Sequence, residues 1–267
     1  MQGAISPPRP RSYGAVNWIG LQTLLGREVM RFVKVSAQTL AAPVMSTLLF
    51  MAVFVLAMGA RSGPHGTAYP DFLAPGLMMM GVITNAFQNT SSSFIGAKVQ
   101  GNAVDFLIPP LSALELTIAF IGGGIVRGLA VGTASALAAA PFAHVMPIDW
   151  LAVLFFSVTG AVIFAAVGLL GGIWAEKFDH LAAFTNFIIT PLTFLSGTFY
   201  SVERLPEPIR SISHWNPVFF LIDGFRAGFI GHSDFPIWKS ALFTGLLAAA
   251  LVALCWRLLA IGWRIRH

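Results

Sequence analysis

Long apolar segments separated by short polar ones dominate the hydrophobicity pattern of the chain. A membrane-spanning helix needs about 20 mostly apolar residues, each adding about 1.5 Å to its length. Six apolar segments of about this length, bounded by glycine, proline or charged residues, cover residues 40–59, 72–94, 116–142, 150–174, 181–199 and 237–261. The pattern therefore predicts an all-α, polytopic membrane protein with six transmembrane helices.

A shorter amphipathic segment, residues 13–34, precedes the first apolar segment. Its polar face comprises Asn17, Gly20, Thr23, Arg27, Arg31 and Lys34, and its apolar face comprises Trp18, Leu21, Leu25, Val29 and Phe32. This spacing is typical of a helix that lies in the headgroup layer with its basic residues toward anionic lipid. A soluble packing helix is the alternative, but no soluble domain is predicted for it to contact. Residues 1–12 contain three prolines and are predicted to form a disordered cytoplasmic tail.

The composition excludes a soluble fold. Of the 267 residues, 56% are hydrophobic and only 10% are charged, whereas soluble domains carry about a quarter charged residues. The net charge of +5 could indicate nucleic-acid binding, but the basic residues lie at the ends of apolar segments, where they determine topology. The single cysteine, Cys255, excludes an intramolecular disulfide and any multi-cysteine metal site.

The positions of Lys and Arg predict the orientation, because these residues resist translocation across the membrane. With the N-terminus inside, ten of them lie on the cytoplasmic side and five on the outer side, and Arg127 lies within the third apolar segment. Both termini are therefore predicted to be cytoplasmic.

Motifs for hydrolysis or nucleotide binding do not occur in the sequence. It contains no G-x-S-x-G elbow, no H-E-x-x-H pair and no G-x-x-x-x-G-K-[ST] phosphate-binding loop. The six histidines are scattered, with no pair at metal-ligand spacing. The chain is thus not expected to be an enzyme or to hold a metal, and any ATP must be bound by another protein.

Polar residues at helical spacing form stripes on two of the predicted spans. One stripe, on the second span, comprises Asn85, Gln88, Asn89 and Ser92, and the other, on the fifth, comprises Asn186, Thr190, Thr193 and Gly197. Such stripes seldom face lipid. They either line a translocation path or join helices by hydrogen bonds, and the sequence leaves both interpretations open.

Arg127 is a charge near the middle of the third span. Its insertion there costs at least ~2.5 kcal/mol, so its side chain should face protein or water and have a partner. The nearest acid along the helix, Glu115, is about 18 Å away, and the partner must come from elsewhere. Hydrogen bonds to Asn85 or Gln88 and a role in substrate passage are both open. Small residues recur every four positions beside it and favour close helix packing; they are Gly124, Gly128, Gly132, Ala136 and Ala140.

Residues 200–235 are too polar to span a membrane and too apolar for a free loop. Aromatic residues alternate with charged ones, and Pro206, Pro208 and Pro217 divide the segment into short pieces. This pattern predicts a re-entrant helical hairpin between the fifth and sixth helices.

The hairpin and the end of the fifth span resemble ABC-2 type permeases, the membrane subunits of ATP-driven exporters. The shared features are a glycine followed by Phe or Tyr, a Leu-Pro pair, an Asn-Pro pair and an arginine after an acid. Here these are Gly197, Phe199, Tyr200, Leu205, Pro206, Asn216, Pro217, Asp223 and Arg226. The cytoplasmic residues 95–115, which include "VDFLIPPLSALEL", are similar to the coupling loop that docks on the ATPase in this family. The resemblance covers residues 13–263, particularly to bacterial inner-membrane permeases of the Yad and nodulation-factor exporter type.

The resemblance implies one ABC-2 type transmembrane domain, residues 13–267, that acts as a homodimer with two ABC ATPase subunits in the bacterial inner membrane. The ATPase would bind ATP and Mg²⁺, and this chain would bind no cofactor and no nucleic acid. The residues implied to couple the two proteins are Asp105, Phe106, Leu107, Ile108, Leu111 and Glu115. The stripes would be candidates for the translocation path. A secondary transporter or a non-transporting membrane scaffold is the alternative, although internal repeats and midspan acids, expected of the former, are not apparent.

The topology can be tested by labelling single cysteines introduced into a Cys255→Ser background. We expect an impermeant maleimide to react from outside at positions Ser62 and Glu203 and only from inside at Asn102 and Arg264. Labelling of position 203 from the cytoplasm would contradict the predicted orientation.

Overall fold

The computed structural model describes residues 16–58, 63–101 and 110–263, and within these ranges it confirms the all-α prediction. In chain order the helices are α1 (Trp18–Val33), α2 (Ser36–Met58), α3 (Tyr69–Val99), α4 (Ala113–Ala139), α5 (Trp150–Trp174), α6 (Phe178–Phe184), α7 (Thr190–Phe194), α8 (Ile209–His214), α9 (Pro217–Ile230) and α10 (Ile237–Ile261). A π-helical turn joins α6 to α7, and two short 3₁₀ turns cover Pro64–Gly66 and Val202–Arg204.

In the described part of the chain, four helices are long and apolar enough to cross a membrane. They are α2, over Ser36–Ala57, together with α4, α5 and α10. They coincide with the first, third, fourth and sixth predicted spans, with ends shifted by up to four residues. The second and fifth predicted spans lie in α3 and in the α6–α7 region, and there the six-span scheme stays a prediction.

Helix α3 is the central helix of the fold. It has 31 residues, and 20 of them are buried, chiefly between α4 and α5. At about 1.5 Å per residue it is about 46 Å long, which is more than a bilayer core requires. Its polar stripe lowers its hydropathy, and this explains why composition alone does not identify it as a span.

The α6–α7 region is interrupted by a π-helical turn over Thr185–Ile189. Pro191, in the first turn of α7, lacks a backbone N–H and cannot make the usual hydrogen bond to the carbonyl four residues before it. The wider turn lies directly before this proline, and Thr190 donates instead to the Thr185 carbonyl. The fifth predicted span is therefore not one regular helix.

Helices α2 and α10 lie at the periphery of the fold. In an apolar stretch of 18 residues from each helix, only 11% of the residues are buried in α2 and only 17% in α10. Large apolar side chains such as Leu49, Leu56 and Leu246 are exposed on them. This arrangement suits helices that face lipid or another membrane protein.

Glycines allow α4 and α5 to approach α3 closely. A Cβ atom on Gly128 of α4 would lie 2.9 Å from the Val82 carbonyl oxygen of α3. A Cβ on Gly168 of α5 would collide with the Phe87 carbonyl and the Thr90 hydroxyl, which donates to the Ala165 carbonyl at 2.8 Å. The small-residue ridge predicted on α4 is thus a packing surface.

The amphipathic helix predicted at residues 13–34 is present as α1, but it packs differently from expectation. Asn17 and Arg31, placed on the headgroup face by the sequence pattern, instead form hydrogen bonds with the rest of the protein. Glu28 is fully buried, whereas Trp18 is 64% exposed. The polar face is therefore corrected at Asn17 and Arg31, because α3 and the start of α4 offer them partners.

The close packing at Gly168 generates a stability prediction. We expect Gly168→Ala to destabilise the protein by about 1–3 kcal/mol, because the added methyl group must displace α3 and its Thr90 hydrogen bond. The apparent unfolding temperature in detergent measures this. Gly245→Ala in α10 is the matched control, since its Cβ would meet no atom closer than 3.9 Å. Equal unfolding temperatures for the two variants would contradict the close contact.

Candidate functional site

The stripe on α3 binds two arginines that come from different helices. Arg127 of α4 donates from Nη2 to the side-chain oxygens of Asn85, at 3.2 Å, and Gln88, at 3.4 Å. These are the partners that the sequence suggested for a structural role of Arg127. These bonds also show that the first half of the stripe, Asn85 and Gln88, joins α3 to α4.

The second half of the stripe, Asn89 and Ser92, binds Arg31 of α1. Its guanidinium donates from Nη2 to the Asn89 carbonyl at 2.6 Å and from Nη1 to the Ser92 hydroxyl at 3.2 Å. Glu28, one turn earlier on α1, forms an ion pair with Arg31 at 3.4 Å and accepts a hydrogen bond from Ser93 at 2.8 Å. Because Glu28 is fully buried, these bonds fix α1 against α3.

Glu28 is a residue that the sequence interpretation missed. A signal was present, because an acid three positions before an arginine can pair with it on the same helix face. The surrounding basic residues favoured a lipid-facing interpretation of the whole face instead.

A cavity of about 480 Å³ lies between α2 and α3 and extends to Arg127. Asn85, Gln88 and Thr84 of α3 form part of its polar wall, and Phe50 of α2 and Leu77 of α3 are among its apolar lining residues. The cavity is thus partly polar, and its lining includes a cation, Arg127. The first stripe therefore joins helices, and Asn85 and Gln88 also line this cavity. That the stripe lines a translocation path stays a prediction.

The second stripe does not line this cavity. Asn186 is exposed in the π turn, Thr190 is half-buried, and Thr193 is buried and donates to the Thr190 carbonyl at 2.8 Å. Within one chain, the structure does not bring the two stripes into one site.

Two of the six proposed coupling residues, Leu111 and Glu115, lie within the described residues, while Asp105, Phe106, Leu107 and Ile108 lie outside them. Leu111 is half-buried against the core. Glu115 is buried, and its carboxylate accepts from the backbone N–H groups of Ser112 and Asn17. It therefore ties the start of α4 to the N-cap of α1.

The side chain of Asn17 adds two more hydrogen bonds at this junction between α1 and the start of α4. It accepts from the Gly20 N–H at 3.0 Å, which caps α1, and donates to the Pro110 carbonyl at 3.2 Å. The N-terminus of α1 is consequently fixed to the end of the predicted coupling loop.

The motif that carried the family resemblance forms one cluster around α9. Arg226 is 3% exposed, donates to the Gly197 carbonyl at 2.7 Å and lies 3.8 Å from the centroid of the Phe72 ring. Gly197 adopts a φ of 78°, which favours glycine in the turn that presents this carbonyl. Arg226 thus joins α9 to α3 and to the turn after α7.

Other motif residues fix the start of α9 and connect its middle to the segment that follows it. Asn216 caps its N-terminus through the Val218 N–H and donates to the Leu192 carbonyl at 2.7 Å, and Pro217 occupies the first turn. Asp223 accepts hydrogen bonds from Ser233 and from the backbone N–H groups of residues 234 and 235.

The aromatic pair of the motif packs beside this cluster. Phe199 lies between rings of α2 and α7, with centroids 5.3 Å from those of Phe50, Phe54 and Phe194. The Tyr200 hydroxyl donates to the Phe194 carbonyl at 3.3 Å. Seven of the nine motif residues therefore help to position α9 and the segments on either side of it; they are Gly197, Phe199, Tyr200, Asn216, Pro217, Asp223 and Arg226.

The environment of Arg226 generates a second stability prediction. We expect Arg226→Gln to destabilise the protein by about 3 kcal/mol, because the Gly197 carbonyl loses a charged donor and the contact with Phe72 is lost. Thermal unfolding in detergent measures the change. Arg210→Gln on α8 is the control, since the Arg210 side chain has no hydrogen-bond partner among the described residues. If both variants unfolded at the wild-type temperature, the cluster would not stabilise α9.

Comparisons with known proteins place this arrangement in a family. The chain is 39% identical over 254 residues to the inner membrane transport permease YadH of Escherichia coli K12, covering 93% of this chain and 98% of that protein. It is 24% identical over 249 residues to nodulation protein J of Rhizobium leguminosarum bv. viciae, covering 90% of this chain and 91% of that protein. The family model described as ABC-2 type transporter matches residues 20–230. The chain therefore belongs to the ABC-2 type transporter family and is a membrane transport permease.

Proposed function

We propose that the chain is the transmembrane permease subunit of an ATP-binding cassette exporter in the bacterial inner membrane. It moves a substrate outward from the cytoplasm or the inner leaflet, and a separate ATPase subunit binds ATP and Mg²⁺ and supplies the energy. Family membership and the match over nearly the whole of a transport permease support this proposal.

The observation that carries the proposal is the connection between the predicted coupling loop and the polar cavity. Asn17 and Glu115 fix α1 to residues at the end of that loop, and Arg31 fixes the same helix to the α3 stripe. A force on the loop therefore has a direct physical route to the helix that lines the cavity. A scaffold protein has no need of such a route.

The proposed assembly is a homodimer with two ATPase subunits. A path for a substrate larger than the cavity requires space between two copies, because the two polar stripes do not meet within one chain. The peripheral helices α2 and α10, with their exposed apolar surfaces, leave room for contacts with a second copy or with lipid.

Six spans with both termini inside remain part of the proposal. Helix α3 is long enough to serve as the second span, and α6 to α7 would form a shorter fifth one. The exposed apolar residues Trp18 and Met30 of α1 would then contact the headgroup layer. The segment around α8 and α9 would be the re-entrant hairpin on the outer side.

The coupling role can be tested with the double variant Phe106→Asp, Leu107→Asp. We expect it to purify as a folded permease but to lose copurification with the ATPase subunit, because two charges replace the apolar side chains proposed to enter a cleft on the partner. ATP hydrolysis stimulated by the permease, measured in nanodiscs, should fall to that of the ATPase alone.

The matched control also replaces two apolar residues with aspartate, but on the opposite side of the membrane, which is predicted to be the outer side. Met146→Asp with Ile148→Asp alters residues that are 73% and 71% exposed, and should leave the complex intact. Normal complex formation and hydrolysis in the Phe106 and Leu107 variant would refute the coupling role of this loop.

A further inference from the structure

The charge on Arg127 has no anionic partner among the described residues. Arg31, which binds the neighbouring half of the same stripe, forms an ion pair with Glu28. Arg127 instead donates from Nη2 to two neutral amide oxygens, and its Nε is buried without any hydrogen bond. The charge of Arg31 is therefore neutralised by a carboxylate, whereas the charge of Arg127 is not neutralised by any described residue.

Neutral amides satisfy donors but do not cancel a charge. A guanidinium near the middle of a span is costly, and an oxyanion beside it would offset that cost through charge-assisted hydrogen bonds. Arg127 lines the open cavity between α2 and α3, so such an anion could reach it. Its position therefore fits a binding group better than a purely structural one.

The cavity wall combines polar and apolar side chains. Its polar lining residues are Thr84, Asn85 and Gln88 of α3, Arg127 of α4, and Gln38, Thr39, Ser46 and Thr47 of α2. Phe50, Leu77 and Met80 offer apolar surface. A volume of about 480 Å³ falls in the range of small-molecule sites. This combination suits a ligand with a compact polar head and an attached hydrocarbon portion.

We infer that this cavity binds the anionic head group of an amphiphile, with Arg127 as the ion-pair partner of its phosphate or carboxylate. The inference rests on the proposed function, because it names the chemical class of the transported substrate. The guanidinium supplies charge and fixed donor geometry, while the threonine and amide groups complete the hydrogen bonding of the head group. The hydrocarbon portion contacts the apolar lining residues Phe50, Leu77 and Met80.

Binding to the purified permease in phosphatidylcholine nanodiscs tests the inference without any ATPase. The probe is dioleoyl phosphatidic acid, and dioleoylglycerol is the comparison because it has the same chains and no phosphate. We expect phosphatidic acid to bind specifically and dioleoylglycerol not to bind. Arg127→Gln should raise the Kd for phosphatidic acid about tenfold or more. Arg127→Lys, which keeps the charge, should recover part of the affinity.

Two further variants make the result specific to this cavity. Arg257→Gln removes an exposed cation from α10 and should leave the Kd unchanged. Ser46→Phe should fill the cavity from α2 without altering the Arg127 hydrogen bonds, and it should weaken binding similarly. If Arg127→Gln does not purify as a monodisperse protein, Ser46→Phe provides the same test.

Inorganic phosphate and glycerol 3-phosphate distinguish a lipid head group from a soluble anion. Competition by either at millimolar concentration would identify a soluble oxyanion, whereas competition only by lipids would identify an amphiphile. Equal binding of phosphatidic acid and dioleoylglycerol, or a wild-type Kd in both Arg127→Gln and Ser46→Phe, would overturn the inference. Neither result depends on the ATPase complex, so this failure is distinguishable from failure of the proposed function.

Discussion

The fold depends on how the polar stripe of α3 is satisfied inside an apolar helical bundle. Amide and hydroxyl oxygens at that depth need hydrogen-bond donors, because lipid offers none. Arg127 supplies them for Asn85 and Gln88, and Arg31 supplies them for Asn89 and Ser92. Two neighbouring helices, α4 and α1, are thereby held against α3 in one register. Apolar packing alone would leave that register less well determined, since lipid and leucine surfaces are nearly equivalent as neighbours.

Close helix approach makes these polar contacts geometrically possible. Glycines on α4 and α5 let the backbone of α3 come near on two sides, as at Gly128 and Gly168. The resulting burial explains why polar side chains of α3 such as Asn85, Asn89 and Thr90 are buried inside the protein. The peripheral helix α2 has no comparable constraint over residues 48–58, and all eleven of these residues are apolar.

The sequence predicted much of the fold because its signals were local. Apolar length identified four of the spans, and the midspan position of Arg127 predicted a protein partner on α3. Predictions failed or stayed incomplete where a distant contact overrides the local pattern. Arg31 looked like a lipid-facing residue until α3 supplied its partners, and Glu28 had no visible reason to be buried. The wide turn before Pro191 likewise depends on backbone geometry that hydropathy does not report.

Helix α1 is fixed at both ends, and this limits how the protein can respond to force. Near its N-terminus Asn17 binds Glu115 and Pro110, and about 20 Å further along Arg31 binds the α3 stripe. A displacement at the start of α4 must either move α1 as a unit or break buried bonds at one end. Breaking a hydrogen bond to a buried charged group costs about 1.5–3 kcal/mol, and several such bonds hold each end. Movement of the whole helix is therefore favoured, and it carries Arg31 and the stripe with it.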